Sequence, residues 1–186
     1  VLHKLRIPIY LHRQTLAEVR RRYLNPYRLP ARVDLTDIDM RAFETRPFVL
    51  DGLHVTPIRV PHAPGVTTHA FLLESSGRRL LIASDLNDPE AIAPHLIDCD
   101  LVYLESNYDP EMLRRFFNPS SLFHLSNPTA GLLLKMALRE SSRPPQAIVL
   151  GHLSEERNAP DLALATVAQI LGEDAGDPMP PLVAAP

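Results

Sequence analysis

Histidine and aspartate side chains at His62, Asp85 and His152 have the residue types and the placement to build a metal site. Each follows a short apolar run. His62 comes after Val55-Thr56-Pro57-Ile58-Arg59-Val60, Asp85 after Leu80-Leu81-Ile82-Ala83, and His152 after Ala147-Ile148-Val149-Leu150. Such runs, rich in β-branched residues, predict buried strands. A residue just past a strand stands at the carboxyl edge of the sheet, where α/β proteins place their chemistry. Imidazole and carboxylate delivered there by separate strands can share one divalent cation. His124 is a fourth candidate, because His124-Leu125-Ser126 is repeated by His152-Leu153-Ser154. An imidazole with an ordinary pKa of about 6.5 can give a proton to a leaving oxygen.

Each residue also has a plainer reading. His62 sits in the turn Val60-Pro61-His62-Ala63-Pro64-Gly65 and reads equally as a surface residue. Asp85 reads as a helix cap, although a carboxylate straight after four apolar residues must find partners. Glu105-Ser106-Asn107, after Leu101–Leu104, reads either as site residues or as a turn held by side-chain hydrogen bonds. His124 could be satisfied by the turn before Asn127. The chemical reading gains from the combination of several ligand types at several strand ends.

The elements that position these residues follow from pattern. Strands are predicted at Arg6–Leu11, Arg32–Leu35, His54–Val60, Ala70–Glu74, Arg79–Ala83, Leu101–Leu104 and Ile148–Leu150, with Ser75-Ser76-Gly77 as a hairpin turn. Helices are predicted over Leu16–Tyr23, capped by Thr15, and over Pro89–Leu96. Further helices start at Asp109-Pro110 and Asn127-Pro128, each with a cap residue and a proline in the first turn, and at Ala159-Pro160, whose helix Gly172 ends. Strands first, then strand–helix alternation, imply a mixed α/β sheet with helices packed on it.

Composition sets the bounds. The 186 residues, 45% hydrophobic and 22% charged, suit one ordinary globular domain, expected over 1–172. The proline-rich remainder, 173–186, is expected to be a disordered tail. No stretch reaches the roughly 20 apolar residues that span a bilayer, and no secretory h-region opens the chain. The lone Cys99 excludes an intrachain disulfide and suits a reducing compartment, hence a cytoplasmic location. Residues 1–50 carry ten Lys/Arg against five Asp/Glu, whereas 151–186 carry one against six. Arg13, Arg20, Arg21, Arg22, Arg28 and Arg32 could form a phosphate-facing patch, or simply a solvated helix face with a basic last turn.

These phrases resemble the metallo-β-lactamase superfamily, and within it the single-domain WalJ-type bacterial exonucleases. The likeness runs from about His54 to Ala165 and rests on several segments: Val60-Pro61-His62-Ala63, Ala83-Ser84-Asp85-Leu86, Leu104-Glu105-Ser106-Asn107-Tyr108-Asp109, His124-Leu125-Ser126-Asn127 and Gly151-His152-Leu153-Ser154-Glu155. The resemblance implies an α/β (α+β) αββα sandwich with two divalent metal ions, zinc or alternatively manganese, between its sheets. It implies that His62 and His152 each ligate one metal and that Asp85 bridges both. It implies His124 as the catalytic, phosphate-side histidine, and Asn107 and Ser154 as substrate-binding residues. DNA is the implied substrate, with no membrane partner.

The chain departs from the pattern in three places. Ala63 stands where these exonucleases have Asp, and His69-Ala70 where they have Gly-Tyr. The His-x-His-x-Asp-His motif, which supplies most of the metal ligands, does not occur. The chain begins at Val1 as if within an element, so it is expected to lack the first strands of the fold, to bind metal weakly and to be inactive as it stands. A phosphodiesterase, in particular a DNA exonuclease, is the expected activity of the whole protein. The alternatives are a hydrolase of a small cyclic phosphodiester or thioester, and a non-catalytic binding module. An uncovered sheet edge would favour self-association.

Overall fold

A computed structural model describes residues 7–23, 38–172 and 179–185. The chain divides into two compact units, Val1–Arg46 and Pro47–Pro186.

The first unit pairs β1 (Ile9–His12) in parallel with β2 (Met40–Phe43). Between them in the chain lies α1 (Arg13–Tyr23), which buries Leu16, while β2 buries Phe43. Parallel neighbours need such a crossover. Arg20, Arg21 and Arg22 form the last turn of α1, and the carboxylate of Glu18 pairs with Arg21 and Arg22. Part of the basic patch is thereby neutralised. Arg28, Arg32 and the strand expected at Arg32–Leu35 lie outside the described residues.

The second unit is a seven-stranded sheet of order β3-β4-β5-β6-β7-β8-β9. Its strands are β3 (Phe48–Leu50), β4 (Leu53–Val60), β5 (Thr68–Ser75), β6 (Arg78–Ala83), β7 (Leu101–Glu105), β8 (Ala147–Gly151) and β9 (Leu182–Ala184). β3 to β6 form an antiparallel meander, and β6 to β9 run parallel. The expected Ser76-Gly77 turn is present, with both residues at positive φ (50° and 73°). A second turn of that kind, Asp51-Gly52 (φ 47° and 85°), joins β3 to β4. Two positive φ values match the right-handed twist of the flanking strands.

Leu81, Leu104, Ile148 and Leu150 are fully buried at alternate strand positions, under α4 (Asn127–Glu140) and α5 (Pro160–Gly172). Short helices α2 (Ala93–Leu96) and α3 (Pro110–Arg115) complete the set. The helix expected over Pro89–Leu96 is divided. A 3-10 turn covers Pro89–Ala91 and α2 follows, with Pro94, which has no N–H to donate, in its first turn. Gly131 of α4 lets α5 close in, since a Cβ there would lie 2.8 Å from Cδ1 of Ile170.

The tail expectation is corrected in part. Residues 173–178 lie outside the described set, but Leu182–Ala184 form β9. Ile148 N–H donates to Pro181 O (2.8 Å) and Ala185 N–H to Leu150 O (2.8 Å). Pro180-Pro181 remove donors only ahead of the strand, so the ladder behind them is intact. Among the described residues, no helix is long and apolar enough to cross a membrane.

Candidate metal centre

The site exists because four strands share a direction. β6, β7 and β8 are parallel, and β4 returns to that direction through two antiparallel steps. Their carboxyl ends therefore open on one edge, and His62, Asp85, Glu105 and His152 all emerge there. The 3-10 turn Pro119–Phe123 brings His124 to the same edge.

The three sequence-predicted ligands come together. Oδ1 of Asp85 lies 3.8 Å from Nε2 of His62 and 3.7 Å from Nε2 of His152. Nδ1 of His124 lies 4.0 Å from the same oxygen. The ring of His124 stands between the other two, with centroids 4.8 Å from His62 and 5.0 Å from His152.

Hydrogen bonds on the far side decide which nitrogens are available. Nδ1 of His62 lies 2.8 Å from the carbonyl oxygen of Phe123, which can only accept. The proton is therefore on Nδ1 and the lone pair on Nε2, facing Asp85. Nδ1 of His152 donates likewise to Oε2 of Glu105 (2.8 Å), and Nδ1 of His124 to Oε1 of Glu105 (3.2 Å). A ring held by one nitrogen and bare at the other is the arrangement of a ligating histidine.

Glu105 is the residue that sequence reasoning left undecided. It is fully buried and accepts four donors. Oε1 takes Leu125 N–H (2.7 Å) and His124, and Oε2 takes Asp85 N–H (2.6 Å) and His152. Burial pushes its carboxyl up, but these hydrogen bonds outweigh burial and hold it below the usual carboxylate range. The bond to Glu105 in turn raises His152 against the opposing effect of burial. The ligand-type atoms of Asp85, Glu105, His124 and His152 all lie within 4.8 Å of one another. Glu105 has spent its lone pairs, so the atoms left for a cation are the carboxylate of Asp85 and the free imidazole nitrogens.

Local backbone aims these groups. Asp85 and His152 both have positive φ (55° and 53°), which turns the chain sharply off β6 and β8. Gly151 is required beside His152, because a Cβ there would lie 2.1 Å from both Cζ and the hydroxyl oxygen of Tyr103. Asn107 and Ser154, expected to contact substrate, hold the loop that carries His152. Nδ2 of Asn107, a buried residue, donates to His152 O (2.7 Å), and Asn107 O accepts Ser154 N–H (2.8 Å). The hydroxyl of Ser154 accepts Arg157 N–H (3.2 Å). Behind them Asn158 donates to the carbonyls of Ser106 and Asn107 (2.7 and 3.1 Å). Asn127, expected as a helix cap, belongs to this buried network through Ser106 (2.7 Å). Ser126 caps α4 in its place, its hydroxyl accepting Thr129 N–H.

No family model and no curated protein sequence matches the chain. Solved structures do match in shape. The chain is similar to the metallo-β-lactamase fold protein YhfI from Bacillus subtilis, at 17% identity and TM-score 0.68, over 96% of this chain and 61% of that one. It is similar to unliganded yeast PDE1, at 12% identity and TM-score 0.65, over 96% and 57%. The short form of human tRNase Z matches at 15% identity and TM-score 0.51, over 80% and 61%. The chain thus spans less than two thirds of the length of these proteins. At such identities the likeness is one of fold: this is the mixed α/β metallo-β-lactamase fold. A divalent metal is what that fold implies, and the donor set fits one. Bare Nε2 atoms and a carboxylate converge, each positioned from behind.

Proposed function

We propose that this chain carries the metal site of a phosphodiester hydrolase, a DNA exonuclease in the whole protein, with His62, Asp85 and His152 as metal ligands. The observation that supports this is the orientation of the imidazoles: Nδ1 of His62 and of His152 is tied down, and Nε2 of each faces Asp85. Zinc is the metal this donor set favours, with manganese as the alternative. When bound, the metal would supply positive charge for a phosphoryl oxygen and lower the pKa of a water.

The remaining steps fall to the chain. His124, held at Nδ1 by Glu105, is the residue placed to give a proton from its other ring nitrogen to the leaving oxygen as water attacks phosphorus in line and the P–O bond breaks. Glu105, held below the usual carboxylate range, keeps its charge beside the two rings that it orients. Asn107 and Ser154 fix the His152 loop.

The chain contains no His-x-His-x-Asp-His, so a single weak divalent site is expected of it alone. Calorimetric titration with zinc checks this. One weak site, abolished in Asp85→Asn, is the expected outcome; no binding, or binding unchanged in that variant, overturns the ligand assignment. For substrate, the whole protein is given labelled DNA and a small cyclic phosphodiester side by side. Cleavage of the cyclic ester alone replaces the nuclease reading with the small-substrate one.

A further inference from the structure

The segment that leads into His124 carries a feature the hydrolytic chemistry does not use. Phe116 and Phe117, just beyond α3, are exposed (58% and 67%). A folded chain gains by burying aromatic rings, so two adjacent exposed rings mark a surface meant to be covered. Arg115 precedes them, is exposed and has no ion pair among the described residues. Together with Glu156 and Arg157, these three residues line an open cavity on the surface. Glu156 is the single carboxylate in the lining, and Arg157 neutralises it (2.8 Å).

The cavity is fastened to the metal centre from two sides. Nε of Arg157 donates to Phe116 O (2.7 Å), which joins the rings to the loop that follows His152. In the other direction the chain runs from Phe117 through the 3-10 turn Pro119–Phe123 to His124, and Phe123 O is the acceptor that orients His62. Six residues lie between Phe117 and His124, so their Cα atoms are no more than about 25 Å apart.

We propose that Phe116 and Phe117, flanked by Arg115, form a stacking platform for unpaired bases of a single-stranded nucleic acid entering the metal centre. Charge selects this occupant. A free guanidinium beside flat aromatic faces offers a phosphate contact and base stacking together, the combination that holds single strands without reading their sequence. The inference rests on the phosphodiesterase reading and narrows its substrate to a strand with at least one unstacked base.

The test separates the two readings. Fluorescence anisotropy with labelled oligothymidylate, in EDTA so that no turnover intervenes, measures binding alone. Replacing both rings (F116A with F117A) should weaken binding about tenfold or more, and F117W alone should retain it. An oligonucleotide with the same phosphates but abasic sugars should bind the unaltered chain as weakly as oligothymidylate binds the double variant. R115A should lower the salt dependence by about one phosphate contact, and the ring variants should leave it unchanged. Equal affinity for the abasic strand, or no loss in the double variant, overturns the platform. If the double variant instead loses a concentration-dependent self-association seen by light scattering while its oligonucleotide affinity holds, the face is a protein interface and the proposal is wrong. Failure of the whole protein to hydrolyse bis(p-nitrophenyl) phosphate with zinc or manganese, with stacking intact, sinks the hydrolase reading and leaves the platform standing.

Discussion

Glu105 sets one carboxylate among two imidazoles and two backbone N–H groups, and it gives away every lone pair. Gln in its place would keep the shape but turn an N–H₂ toward donors on one side. The expected result of Glu105→Gln is a metal affinity lower by about 10–100-fold, read by zinc titration. Folding stability should also fall by about 1–3 kcal/mol, read by urea unfolding, because a buried donor loses its acceptor. An unchanged zinc affinity would show that the carboxylate does not position the ligands. The position of Glu105 was legible in the sequence, but its role was not. The rule that a carboxylate after a buried strand must find partners was applied to Asp85, whose side chain is 46% exposed, and not to Glu105, which is fully buried. His62 gave no sign of its acceptor, since Phe123 lies sixty-one residues away in the chain.

Elements with strong local grammar were legible and weak ones were not. Proline in the first helical turn marked α3, α4 and α5, and alternating apolar runs marked β4 to β8. β3 was missed although Asp51-Gly52 announces its hairpin, because three residues make too short a period. β9 was missed because prolines on its N-terminal side masked an apolar triplet. Its contribution can be measured. Deleting residues 179–186 should strip the ladder partner from β8, which carries His152, and expose its edge. The expected outcome is a lower Tm with concentration-dependent aggregation, followed by thermal melts with light scattering. An unchanged melting curve would show β9 to be dispensable.

At the scale of the whole molecule, the direction shared by β4, β6, β7 and β8 was foreseen in the placement of residues at strand ends, whereas the division at Arg46 was not. The basic excess of the first fifty residues ends near that point, but the boundary itself reflects long-range pairing that no local window contains. The same shared direction has a kinetic corollary. The donors span residues 62 to 152 and cannot meet until β8 has docked beside β7, so the coordination shell closes only once that long-range pairing is made. A cation should then leave the refolding rate alone and slow unfolding, the behaviour of contacts absent from the transition state. Stopped-flow traces with zinc and with chelator would show it: overlapping refolding limbs with separated unfolding limbs. A refolding limb accelerated by zinc would mean instead that the ion acts as a nucleus around which the chain assembles.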